Sequence, residues 1–377
     1  MNLTASLSLL VTVIFFGASV SQAVRADDTT SCGWFGPVPD SSNQLPSFSL
    51  SPPQVQELDT LLSGQVQSKN LPSLAVSLFV GGRPVYTFGG SASSFSAGNV
   101  TANSLFRVGS LTKIMTTLLS LKLVDVGQVD FDRSILEYEP LFQIDATTAN
   151  WNNHSITPRQ LSSHLAGLPR EAPCSTVPDS YGIECNFNSS QIYSRLASEM
   201  MILQTNTLPS YSNLGFSVLG NGMGKMVFPP STTSPETSDC QNHSRDTCAY
   251  VLAVRKLILQ PLDLEDSIGF WSTDPLARNL LKGHADGIPL PFSDLGWSSP
   301  SGQMFTSPNS MNTLIARALG WQEPQYSLLS STIISEWLMQ RYVNGNGVSG
   351  YACPWQFHLS NTSPAYWLRY LSYCSSL

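Results

Sequence analysis

The sequence predicts an α+β fold: an antiparallel sheet flanked by helices, with an all-helical region inserted into it. Three observations predict it. Two apolar strands meet at Gly81-Gly82 near the start, helical patterns fill the middle, and a strand pattern returns over Tyr351–Leu359.

Each element has its own signal. Val55–Val66 is an amphipathic helix with Val55, Leu58, Leu61 and Leu62 on one face. Leu74–Val80 is an apolar strand, and Pro84–Gly89 returns after the Gly-Gly hairpin turn. Leu111–Val126 is a helix that is apolar nearly all round, with Gly127 at the C-cap place. Further helices are expected over Pro158–Leu165, Gln191–Leu203, Leu214–Val227, Tyr250–Leu259, Pro308–Leu319 and Ser331–Tyr342. Loops rich in Pro, Asn and Ser join them.

The 377 residues are 42% hydrophobic, enough for a sizeable core. Only 12% are charged, the net charge is −7 and no basic run occurs, which argues against a nucleic-acid partner. Residues 1–23 read as a signal peptide: Leu9–Phe16 is a short apolar core, and Ser21-Gln22-Ala23 offers a small-residue cleavage site, with Val24-Arg25-Ala26 as a second option. No Lys or Arg precedes that core, and an uncleaved anchor is the alternative. Residues 24–52 read as a linker. No other segment is long and apolar enough to span a bilayer, so no membrane contact is expected beyond the signal sequence.

Glycosylation sequons at Asn99, Asn153, Asn188, Asn242 and Asn361 agree with a secreted, extracellular protein. So do two cysteine pairs close in sequence, Cys174/Cys185 and Cys240/Cys248, expected as local disulfides. Cys32, Cys353 and Cys374 remain, so at least one thiol has no partner within the chain.

The chemistry-bearing motif is Ser110-Leu111-Thr112-Lys113. Residues i and i+3 share a helix face, so the amine can reach the hydroxyl. A serine hydroxyl is a weak nucleophile until a base takes its proton. A lysine serves as that base when burial disfavours its charged form, and Phe106, Val108, Ile114 and Met115 supply apolar flanks. The alternative is a Ser N-cap beside a solvated lysine. A second element is Tyr211-Ser212-Asn213, between a Pro209 turn and an apolar helix. The tyrosine can relay a proton and the asparagine can hold a substrate carbonyl or orient the lysine. The bland reading makes Asn213 a helix cap beside a packed Tyr211. The five histidines are scattered, and no spacing resembles a metal site.

Phe106 to Lys113 resembles the nucleophile helix start of the penicillin-binding-protein and class C β-lactamase family. Further stretches agree in order. Asp125–Asp132 resembles the turn after that helix, and Ile156–Pro169 resembles the family's "iTlrqLLsHtSGLp" segment. Tyr211–Gly220 resembles its "YSNlGyalLG" motif. Leu259–Ser267, Ser299–Ser307 and Tyr351–Phe357 follow, with Asp263 replacing a usual glycine. The resemblance covers roughly residues 53–359.

The resemblance implies a serine hydrolase acting through an acyl-enzyme on a small-molecule or peptide amide or ester, with no cofactor. Ser110 is then the nucleophile, Lys113 and Tyr211 handle its proton, and Asn213 binds substrate. It also implies that His164 is structural. The family carries a third motif after the Trp355 strand, and nothing here after position 350 fits it. The final strands and C-terminal helix are accordingly expected to be missing, with residues 360–377 an unrelated-looking tail. The alternative function is a non-catalytic secreted glycoprotein that keeps the fold as a binding or scaffold module.

Overall fold

The computed structural model describes residues 9–15, 48–95, 98–144, 156–174, 183–229, 243–285, 288–321, 326–345, 349–359 and 367–370. Strand β1 (Leu9–Phe15) falls on the expected signal-peptide core and pairs in parallel with β2 (Leu74–Val80), Leu9 opposite Leu74. The proposed cleavage sites and most of the expected linker lie outside the described residues. Helix α1 (Pro52–Ser68) begins at a Ser51/Gln54 capping box. β2 then pairs antiparallel with β3 (Arg83–Gly90), from Leu74 opposite Gly90 to Val80 opposite Arg83. Alternation sorts the hairpin faces. Leu74 and Val76 pack with Val66 and Leu62 of α1, while Ala75 packs with Val100 and Phe106.

β4 (Phe106–Arg107) leads through a turn of 3-10 helix at Gly109–Leu111 into α2 (Thr112–Asp125). α2 is the central post. Ile114, Met115, Leu118, Leu119 and Leu121 are all buried, as an all-round apolar helix requires, and Gly127 follows at φ 72°. Around it stand α3 (Pro158–Ser162), α5 (Asn213–Val227), α6 (Arg245–Val254), α7 (Ser299–Gly302) and α9 (Ser331–Leu338), with α4 (Ser189–Leu196) feeding the same core. α6 runs on into a wider π turn at Arg255–Leu259. α8 (Pro308–Ala318) packs on β2 from the other side.

The sheet structure is more divided than expected. β5 (Ile268–Gly269) and β8 (Phe305–Thr306) join β4 in the order β4-β8-β5. β6 (His284–Ala285) and β7 (Ile288–Pro289) form a ribbon. β9 (Tyr342–Val343), β10 (Ser349–Tyr351), β11 (Gln356–Leu359) and β12 (Trp367–Tyr370) make an antiparallel four-stranded sheet.

α3 ends at Ser162 rather than Leu165 and α6 begins at Arg245 rather than Tyr250, and three further boundaries differ for physical reasons. The single strand expected over Tyr351–Leu359 breaks at Ala352–Trp355, where Pro354 cannot donate to a ladder and Ala352 N–H closes a turn on the Trp355 carbonyl at 2.6 Å. α4 stops at Leu196 instead of Leu203, because the Ile202 and Leu203 N–H groups donate to the Gly167 carbonyl at 2.9 and 3.3 Å. α9 stops at Leu338, because Arg341 N–H donates to Tyr351 and the following residues join β10.

The Cys174–Cys185 disulfide is present. Cys248 is disulfide-bonded too, and its expected partner Cys240 lies outside the described residues. Cys353 is a free, buried thiol, and Cys32 and Cys374 are not described. No helix among the described residues is long and apolar enough to cross a membrane.

Candidate active site

Ser110 sits in the 3-10 turn just ahead of α2, and Lys113 one turn on, inside the core. The i,i+3 spacing brings Lys113 Nζ to 3.2 Å from Ser110 Oγ. Folding adds Tyr211, whose hydroxyl makes a short hydrogen bond with the same Ser110 Oγ. Asn213 Oδ1 accepts from Lys113 Nζ at 2.7 Å, and the Ser301 backbone carbonyl on α7 accepts at 2.7 Å. All four expected residues therefore converge. Lys113 is wholly buried, while Ser110, Tyr211 and Asn213 are partly open to solvent.

Local sequence explains the placement of the second cluster. Ser212 caps α5: its Oγ accepts from Gly215 N–H at 2.9 Å and donates to the Pro169 carbonyl at 2.6 Å. This corrects the bland reading of Asn213 as the cap. Asn213 is the first helical residue, which turns its amide inward toward Lys113. His164, in a left-handed conformation at φ 62°, accepts from Ser212 N–H through Nδ1 at 3.1 Å. Its ring stacks on Tyr211 with centroids 4.5 Å apart. Burial, then Lys113 and Arg170, pull the His164 imidazole down to about 3. It is neutral at ordinary pH and acts as a shelf for Tyr211.

The electrostatics of Lys113 follow from its setting. Burial, opposed by Glu171 and assisted by Arg170, pulls the amine from 10.5 down to about 7. A neutral amine has two N–H donors and one lone pair. Asn213 Oδ1 and Ser301 O can only accept, and they are the two nearest partners. The lone pair is then left for the Ser110 hydroxyl proton. The arrangement can thus take a proton from Ser110, with Tyr211 as a second route off the same oxygen.

Sequence reasoning missed three contributors: the Ser301 carbonyl, Glu171, which accepts from Asn213 Nδ2 at 2.8 Å, and the aromatic face of Phe216, 5.5 Å from Lys113 Nζ. Ser301 and Phe216 lie inside stretches that carry the resemblance, and Glu171 lies two residues past one. That position was the available signal. Among the described residues no cluster of His, Cys, Asp and Glu could hold a metal ion.

Comparison with known proteins agrees with this architecture. Beta-lactamase-like protein 4 of Dictyostelium discoideum is 24% identical over 83% of this chain, and the match covers 54% of that relative. The chain thus spans about half its length. A class C beta lactamase from Rhodobacter sphaeroides superposes with a TM-score of 0.59 at 18% identity, covering 82% of this chain and 76% of that one. EstCE1, a hydrolase with promiscuous acyltransferase activity, gives 0.57 at 18% identity over 81% of this chain and 82% of its own. The solved structures share the fold. The family model described as Beta-lactamase matches residues 58–369, and the chain belongs to the beta-lactamase family.

Proposed function

We propose that this chain is a secreted serine hydrolase that opens a small-molecule or peptide amide or ester through a covalent ester on Ser110. Ser110 Oγ attacks the carbonyl carbon, and its proton passes to the neutral Lys113 amine, directly or through Tyr211. The tetrahedral intermediate collapses, the leaving group takes a proton back, and water then releases the acyl group by the reverse path. Asn213 holds Lys113 through Oδ1 and, being partly open to solvent, borders the substrate beside it.

The observation that carries this reading is the hydrogen bonding of Lys113. Two carbonyl oxygens at 2.7 Å occupy its N–H groups, and Ser110 Oγ stands at 3.2 Å. EstCE1, which shares the fold, is a hydrolase with promiscuous acyltransferase activity, chemistry of the same type. Intact-mass analysis after exposure to a fluorophosphonate probe tests it. One adduct is expected on the folded chain and none in Ser110→Ala. Absence of an adduct on the folded chain, or its persistence in Ser110→Ala, would favour the non-catalytic binding module.

Secretion is supported by the exposed sequon residues Asn99 and Asn188, and by the Cys174–Cys185 disulfide, a bond favoured in oxidising compartments. Recovery from culture medium, with a mass loss on N-glycosidase treatment, is the expected result. Retention of all the protein inside the cell would count against it.

A further inference from the structure

An asparagine amide can present either its oxygen or its nitrogen to a neighbour, and the partner on its far side decides which. On the far side of Asn213 is Glu171. Both of its carboxylate oxygens accept from Asn213 Nδ2, at 2.8 and 3.0 Å. An ionised carboxylate has no proton to give, so only the N–H end of the amide can face it. The amide oxygen is thereby turned to Lys113 Nζ.

The loop that carries Glu171 is fastened to the first turn of α5. The Arg170 carbonyl accepts from Asn213 N–H at 2.7 Å and Leu214 N–H at 3.2 Å. Ser212 Oγ donates to the Pro169 carbonyl. The carboxylate and the amide that it holds therefore keep a fixed relation.

We infer that Glu171 is a positioning residue of this site, its carboxylate locking the Asn213 amide so that the amide oxygen holds Lys113 beside Ser110. This rests on the acyl-transfer reading given above. Glu171 also acts on Lys113 through its charge. The groups facing the buried amine are Glu171, Arg170 and His164 from the loop after α3, Tyr211 ahead of α5, and Ser110 on its own element; α7 offers only the Ser301 carbonyl. Glu171 raises the proton affinity of Lys113, Arg170 lowers it, and His164 is neutral. Glu171 is the anion in this set. The rival role is a surface ion pair with Arg170, Nε to Oε1 at 3.3 Å, with side chains 47% and 61% exposed. Such exposed pairs contribute little, and a pair with no inward role would leave Lys113 unmoved when broken.

Glu171→Gln and Glu171→Asp separate the two roles in the full chain. Glutamine can turn either end of its own amide to Asn213, so the lock is lost at nearly constant volume; aspartate keeps an acceptor-only charge. The titration of Lys113 is followed by NMR of lysine labelled with 13C at Cε, assigned with Lys113→Arg. In Glu171→Gln the midpoint moves to lower pH, and the plateau rate of Ser110 modification by the fluorophosphonate falls about tenfold, the effect of one charge-assisted hydrogen bond. Glu171→Asp recovers part of both, and Arg170→Ala moves the midpoint upward. If the unmodified chain forms an adduct but midpoint and rate are unchanged in Glu171→Gln, this inference is overturned alone. If the unmodified chain forms no Ser110 adduct, the acyl-transfer reading falls and takes this inference with it.

Discussion

Removing the Lys113 amine changes how stability depends on pH, and the size of the change follows from its burial. The folded chain binds that proton with a midpoint of about 7, against 10.5 when the lysine is in water. Between those values the unfolded chain carries a proton that the folded chain lacks, so stability rises with pH. The folded midpoint is the lower one, so the contribution is complete above the unfolded midpoint and is lost as pH falls through the folded one. Integration gives about 2.7 kcal/mol between pH 6 and pH 9, on the way to about 4.8 kcal/mol at completion. Lys113→Met keeps the length of the side chain and removes the titrating group. Its lost hydrogen bonds to Asn213 and Ser301 add a pH-independent offset. Glu139, lifted to about 7 by burial, is common to both chains and cancels. His164, down to about 3, stays neutral across the window. Urea unfolding at pH 6, 7, 8 and 9 measures the difference between the two chains. It should grow steadily in favour of the unsubstituted chain. A constant difference would show that Lys113 keeps its proton in the fold, and would remove the physical basis for Lys113 as a base.

Other substitutions have separate readouts. Tyr211→Phe keeps the ring stacked on His164 and removes the hydroxyl that meets Ser110 Oγ; a fall of about 10²–10⁴ in probe-labelling rate at an unchanged unfolding midpoint marks proton transfer through Tyr211, and an unchanged rate marks direct transfer to Lys113. Lys225 reaches Glu139 Oε1 at 2.5 Å and Asp246 Oδ1 at 3.6 Å, with Glu139 almost wholly buried. Lys225→Met strands those carboxylates at a cost of about 3–5 kcal/mol, and calorimetry should record a Tm about 4–6 °C lower for a chain of this length; an unchanged Tm would mean that the pair contributes nothing. Gly167 holds φ 68°, and a Cβ there would lie 1.9 Å from the Leu203 carbonyl oxygen. Gly167→Ala should cost at least about 3 kcal/mol in urea unfolding, by strain and overpacking together; a smaller loss would show that the loop around Leu203 yields.

Local physics made much of this protein legible in its sequence. The Gly81-Gly82 turn set the hairpin, and all-round apolarity marked α2 as the buried post. The i,i+3 rule placed Lys113 within reach of Ser110, because helix geometry over one turn is nearly independent of the rest of the chain. Two boundaries slipped because a distant backbone group won: Gly167 taking the N–H groups after α4, and Tyr351 taking Arg341. What only the tertiary structure decided is the state of the lysine. Burial lowers its proton affinity, α5 brings Tyr211 and Asn213 from about a hundred residues away, α7 presents the Ser301 carbonyl, and Glu171 fixes the direction of the Asn213 amide. Sequence spacing sets which groups can meet within one helix. Desolvation and the orientation of an amide depend on everything packed around them, and that exists only once the chain has closed on itself.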